Sequence, residues 1–475
     1  MRIPKEVFKN TKNSSYWLDT VTLPVLEKIP DGISVDTLVI GAGFSGTIIA
    51  HHLARKKKDV VLLEQKLGVG ASFNTGGIIV PGVALYPKDS VGMEGFNEVR
   101  QMYNASIRGI SELEKLVEAE KIDCDLQMGG AILALVKNYH KGLIETDVLL
   151  RKKFGDKAEM LDYDELQKYI RCEEYWGAGH YSNGGIINPA KFVVGLQERI
   201  IKKGGKVFQG KAKAFRKRRY GEIIVDIIRD DNTKTQVSCN NIVIASNYFV
   251  DTENDELGYL RNNVIPVQCY ALTTEPLTEQ EIRDIGWKEG MSITDSVPDF
   301  HYARMTIDNR ILIGAHTTCL DIGEVPDKKT QQKIYESIYR ELVRLHPIFK
   351  AKNGKETWKK VSHAWYGNIA MTDEFLPFYG KEQGNNIYYA SGYNGHGLVL
   401  STVLGKAVAE MIAGESASNK DAEIFKETPP KNPGRIWPWY VKWSKAAEFA
   451  STNYFGFKGY EAITRMGLRR EMNGF

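Results

Sequence analysis

Residues 36–64 read DTLVIGAGFSGTIIAHHLARKKKDVVLLE. Thr37 to Ile40 is a short apolar run of the kind that forms a buried strand. Gly41, Gly43 and Gly46 then make a GxGxxG turn, and Thr47 to Ala54 repeats apolar residues at helical spacing. Lys56 to Asp59 closes that helix, and Val60 to Leu63 is a second buried strand. Strand, glycine turn, helix and strand make a βαβ unit, which implies a parallel sheet. In such a turn the glycines allow a sharp bend, close approach to a pyrophosphate and tight helix-on-sheet packing. The helix start, at Phe44 and Ser45, offers free N–H groups and a partial positive charge for phosphate. Glu64 ends the second strand, followed by Gln65, where a carboxylate accepts ribose hydroxyls and disfavours a 2′-phosphate.

This unit does not separate NAD from FAD. The next stretch does. GVGASFNTGGIIV, residues 68–80, places Gly70, Ala71, Ser72, Asn74, Thr75, Gly76 and Gly77 where a nicotinamide fold would enter its next helix. The longer ribityl chain and flat ring of a flavin need a second bed of backbone amides and small polar side chains. Far downstream, SGYNGHGLVLS starts at Ser391. Gly392, Tyr393, Asn394, Gly395, His396, Gly397 and Leu398 form a third glycine-rich turn that opens a helix. A helix end there stabilises negative charge developing on a reduced flavin ring. The sequence therefore favours bound FAD.

The chain has 475 residues with 43% hydrophobic and 26% charged residues, an ordinary globular composition. A net charge of +4 gives no argument for nucleic acid as a partner. Cys124, Cys172, Cys239, Cys269 and Cys319 are scattered, with no CxxC pair, which fits a reduced, cytoplasmic compartment. The first residues lack the apolar core of a secretory signal, and no stretch approaches the length of a membrane span. The nine histidines suggest no metal cluster: His51 and His52 are adjacent and point to different helix faces.

Elsewhere the pattern predicts helices over 95–120, 162–170, 188–203 and 327–345, and strands over 125–137, 206–208, 222–228 and 241–249. Residues 263–274, with HYARM at 301–305 and RILIGAH at 310–316, alternate as in an antiparallel sheet. These inserts interrupt the α/β elements, so two interleaved domains are expected.

GAGFSG, LLE, GASxxNxGG and GYxGHG, in that order, resemble the FAD-dependent oxidoreductases of the D-amino-acid-oxidase/glycine-oxidase superfamily. The closer resemblance is to the γ-glutamylputrescine oxidoreductase-like branch. It is carried by Ser15-Tyr16-Trp17, GAGHYSNGGIINP at 177–189, NRILIGAH at 309–316 and WYGNIAMTDEFLP at 365–377. The resemblance implies a doubly wound, Rossmann-like FAD domain interleaved with an antiparallel β-sheet substrate domain. The expected FAD domain is discontinuous, over 30–95, 178–255 and 355–425, with Val207 beside the cofactor. The substrate domain is expected over 96–177 and 256–354, and a basic, aromatic helical tail over 426–475. The implied chemistry is oxidation of an amine C–N bond by hydride transfer to the flavin, followed by hydrolysis of the imine. No protein general base is required.

Two departures from the resemblance matter. Amino-acid-oxidising relatives carry an Arg after Trp-x-Gly that binds the substrate carboxylate; here that position is Ile369, which argues for an amine without a simple amino-acid head. Relatives with histidyl-linked flavin carry His at the position of Asn74, so dissociable FAD is expected. Tyr270, Tyr302, Arg304, His316, Trp365 and Tyr366 are the candidate substrate-pocket residues; His396, Trp365 and Tyr302 are the candidates nearest the chemistry. Arg304 has two open readings, a clamp for a remote carboxylate or a structural salt bridge. The electron acceptor, oxygen or another carrier, and the oligomeric state are not readable. The tail, with Trp437, Trp439, Trp443, Lys442 and Lys445, has two readings: docking on its own domain or peripheral contact with an anionic membrane.

Overall fold

The computed structural model describes residues 2–84, 96–136, 141–218, 221–247, 260, 263–296, 300–315, 326–349, 351–352, 355–356, 358–372, 375–382, 384–415, 422 and 424–425. His316, Cys319 and the tail over 426–475 lie outside the described residues.

The opening βαβ unit forms as the sequence predicts. Strand Ser34–Ile40 leads through the glycine turn into helix Phe44–Arg55, and Val60–Glu64 returns parallel to it. These strands sit in a nine-stranded sheet. Its parallel run is Glu27–Lys28, Lys206–Gln209, Val60–Glu64, Ser34–Ile40, Lys234–Ile244 and Ile387–Ser391. Antiparallel strands Ile223–Ile228 and Lys211–Lys217 extend it. Both faces are buried, as expected of apolar parallel strands. Val39, Val60 and Leu62 pack under the helices, whereas Leu38, Val61 and Leu63 pack on the opposite face.

The second sheet has eight strands, in the order Val361–Met371, Ile265–Thr274, Ile311–Ala315, His301–Met305, Ser292–Asp295, Ala131–Ala134, Ala178–Tyr181 and Ala158–Leu161. It is antiparallel except for the parallel pairing of Ser292–Asp295 with Ala131–Ala134. Helix Lys328–Leu345 covers one face, where Tyr335, Ile338, Tyr339 and Leu342 join Tyr270, Leu272, Ile311 and Ile313. The other face turns towards the glycine turns, with Ala271, Leu312 and Trp365 packed among Phe44, Ile48 and Phe73.

Three expectations are corrected. Strands Ala178–Tyr181 and Val361–Met371 belong to the second sheet, not to the nucleotide-binding layer, because their backbones pair there. Helix Phe96–Glu120 packs on the nucleotide side: Thr402 Oγ1 donates to the Gly109 carbonyl at 3.0 Å, and a Cβ on Gly109 would lie 2.7 Å from Val403. The strand expected over 125–137 shrinks to Ala131–Ala134. Asp125 and Gly130 take positive φ values of 54° and 94°, which breaks an extended ladder.

Candidate active site

The glycine-rich turns meet at one place. Gly41 has φ +101°, and a Cβ on Gly46 would lie 1.8 Å from the Gly41 carbonyl oxygen, so the first turn tolerates no side chain at its close approach. The first and second turns are joined by the Phe44 N–H, which donates to Ser72 Oγ at 2.9 Å. The first and third are joined by Ser45 Oγ, which donates to Tyr393 Oη at 2.8 Å. Glu64 reaches back to accept from the Ala42 N–H at 2.7 Å and from the Lys66 N–H at 2.9 Å. Burial raises its pKa while these N–H donors oppose the rise. Gln65 stands exposed at the end of the strand.

The second turn is gripped through its carbonyl oxygens. Ser15 Oγ donates to Phe73 O at 2.7 Å, Trp17 Nε1 to Thr75 O at 2.7 Å, and Trp365 Nε1 to Asn74 O at 3.0 Å. Asn74 Nδ2 donates to Gly70 O at 2.9 Å, closing the short helix Ala71–Asn74 on itself. Arg304 donates from one guanidinium nitrogen to Gly77 O at 2.8 Å and Ile187 O at 2.7 Å.

Strand register decides which expected pocket residues face this turn. Trp365, Gly367 and Ile369 share one side of their strand. Trp365 bonds Asn74, a Cβ on Gly367 would lie 2.8 Å from Asn74 Cβ, and a Cβ on Gly395 would lie 3.9 Å from Ile369 Cδ1. Across the ladder, Cys269 pairs with Gly367 and Val267 with Ile369, so they share that side. Tyr302 belongs here too: a Cβ on Gly76 would lie 2.7 Å from its ring, and one on Gly314 would lie 2.3 Å from its hydroxyl. Burial raises the Tyr302 pKa, so the phenol stays protonated.

Tyr270 and Tyr366 are corrected. They pair directly across the ladder, their ring centroids lie 5.6 Å apart, and both sit on the face covered by helix Lys328–Leu345. Pleat alternation turns them away from the glycine turns. Arg304 is 1% exposed, its Nε donates to Met305 O and its Nη1 to Gly77 O and Ile187 O, and burial lowers its pKa to about 9. Among the described residues no carboxylate pairs with it, against the salt-bridge reading. Val207 packs its side chain in the hydrophobic core, on the strand paired with Val60–Glu64, opposite Leu62.

In the third turn, Gly392, Asn394 and Gly395 have φ values of 71°, 52° and 88°. Asn394 is buried and structural: its Oδ1 accepts from the Thr372 N–H at 2.7 Å, and its Nδ2 donates to Gly392 O. His396 is the N-cap of helix Gly397–Ala413, and its Nδ1 lies 3.3 Å from Asn394 O. Burial lowers its pKa, so the imidazole is neutral near pH 7. Leu398 is buried in the core behind the turn. Ser15 and Trp17 reach the second turn although periodicity alone gives no sign of it; they belong to the Ser-Tyr-Trp cluster just ahead of the first strand.

The residues fit FAD. Gly41, Gly43 and Gly46 with Glu64 suit the pyrophosphate and ribose, and Gly70 leaves open space where a Cβ would stand. The FAD dependent oxidoreductase family, DAO, matches residues 36–411. The chain belongs to this family of FAD-dependent oxidoreductases. It is 27% identical to γ-glutamylputrescine oxidoreductase of Escherichia coli K12 over 396 residues, 82% of this chain and 86% of that protein. It is also 27% identical over 410 residues to a probable oxidoreductase OrdL of Haemophilus influenzae, covering 84% and 88%. Glycine oxidase from Geobacillus kaustophilus superposes with a TM-score of 0.67 at 17% identity, over 84% of this chain and 100% of that one. Among the described residues no helix is long and apolar enough to cross a membrane.

Proposed function

We propose that this flavoenzyme oxidises the C–N bond of an amine without a simple α-amino-acid head: a secondary, N-substituted or γ-glutamyl-type amine. The observation that carries this reading is Ile369. It lies 3.9 Å from the Cβ position of Gly395, on the sheet face turned to the glycine turns. Among the described residues, an α-carboxylate closed in beside this aliphatic side chain has no charged partner at that position, which is costly in a dry site. The relative named as acting on γ-glutamylputrescine supports the substrate class.

Bound FAD supplies the hydride acceptor. The chain's own residues orient the substrate: Tyr302 presents its ring beside Gly76, and Trp365 holds Asn74 in place. The imine leaves to be hydrolysed in water, giving a carbonyl compound and an amine or ammonia. We propose that FAD is held without a covalent link, since Asn74 spends its carboxamide on the Gly70 carbonyl.

The test is anaerobic bleaching of the yellow protein with a panel of amines and amino acids. Faster reduction by glycine, D-alanine or proline than by every N-substituted or γ-glutamyl amine would defeat the substrate reading. Acid precipitation checks the linkage: a colourless pellet and yellow supernatant are expected.

A further inference from the structure

We propose that the N-terminal arm, residues 12–19, is a strap that positions the second glycine turn for the flavin, and so belongs to the cofactor site. The proposal rests on the FAD reading above. Ser15 and Trp17 are each 1% exposed and donate to the Phe73 and Thr75 carbonyls. The arm is fastened on its other side to the substrate sheet. Lys12 donates its N–H to Ser362 O at 2.9 Å, and its carbonyl accepts from the Ala364 N–H at 3.0 Å. Tyr16 Oη donates to Asp308 Oδ1 at 2.6 Å, and His363 Nε2 lies 3.0 Å from Asp19 Oδ2. The arm therefore ties the turn at 73–75 to the edge strand Val361–Met371 and to the turn at 306–310 of the sheet that faces it.

The peptide plane gives this strap a direction. In a trans peptide the carbonyl and the following N–H point opposite ways. Drawing Phe73 O and Thr75 O to the arm turns the N–H groups of Asn74 and Gly76 away from it. The loop thus holds its backbone donors in one orientation before any ligand arrives, which lowers the ordering cost of binding. Arg304 lies 5.2 Å over the Trp17 ring and grips Gly77 from the same side, so the strap and the sheet act together.

Full-length Trp17→Phe, which keeps a ring but deletes the N–H, Ser15→Ala and the double variant test the strap. Ser15→Thr, which keeps the hydroxyl, is the rescue. The readouts are FAD affinity of the apoprotein by flavin fluorescence quenching, the visible spectrum, the flavin midpoint potential, and melting of apo and holo forms. Each lost hydrogen bond is expected to weaken FAD binding by about fivefold, and the double variant by about 25-fold. The potential and flavin band shape should shift, Ser15→Thr should restore them, and the holo form should lose more melting temperature than the apoprotein does. A double variant with wild-type affinity, spectrum and potential overturns the proposal. So does equal loss of apo and holo melting with affinity kept, since that is a purely structural role. Should the double variant not fold, Ser15→Ala alone is judged by the same readouts. Wild-type apoprotein that takes up no FAD would sink the cofactor reading beneath the proposal.

Discussion

Arg304 holds Gly77: one guanidinium nitrogen donates to the Gly77 carbonyl at 2.8 Å while also reaching Ile187 O at 2.7 Å. A charged side chain from the substrate sheet therefore anchors the second glycine turn from below. Burial lowers its pKa to about 9, yet it remains protonated at neutral pH and keeps both bonds.

Arg304→Met is expected to cost about 1–3 kcal/mol of stability, because the Ile187 carbonyl loses its guanidinium donor while Gly77 O keeps the Ile187 N–H. Urea denaturation of the apoprotein checks this. Unchanged stability, with a raised KM only for carboxylate-bearing substrates, would restore the clamp reading.

Gly43→Val should abolish FAD binding. A Cβ there would already lie 2.9 Å from Ser72 Oγ, and larger atoms would fill the pyrophosphate space between the two turns. The flavin-to-protein ratio after purification is the measurement. Retained stoichiometric flavin would show that the phosphate site lies elsewhere.

Ile369→Arg should shift preference towards α-amino acids. The new guanidinium would project beside Gly395, giving a substrate carboxylate a partner. Relative kcat/KM for an amino acid over an N-substituted amine should rise by about tenfold or more, the scale of one charged hydrogen bond. No change in that ratio would place the substrate head away from Ile369.

The pH dependence of stability should carry a signature of His301. Burial alone would lower its pKa, but its hydrogen bond and charge interaction with Asp295, with Glu341 nearby, raise it above the ordinary 6.5. Its Nδ1 lies 2.9 Å from Asp295 Oδ2. A group whose folded pKa is raised stabilises fully below its unfolded pKa and loses that contribution as pH climbs through the folded value. Melting temperature should therefore fall on the alkaline side of 6.5, and His301→Gln should flatten that fall. An identical pH profile in the variant would show that His301 does not drive it.

The nucleotide half of this protein was legible in the sequence because it is local. Strand, glycine turn, helix and strand span Ser34 to Glu64, and each step is set by neighbours a few residues apart. The flavin reading of Gly70 to Gly77 and the helix after His396 followed from the same local grammar. What only the tertiary structure decided was parity and partnership. Trp365 and Tyr366 are consecutive, yet one bonds Asn74 and the other packs on Tyr270 across the ladder. Both faces of that sheet are apolar, so no polar alternation marks which side meets the glycine turns. The donors on the second turn come from Ser15, Trp17, Arg304 and Trp365, far apart in the chain. Hydrogen bonds between distant segments leave no period in a sequence; they exist only once both sheets have formed and the arm has been laid between them.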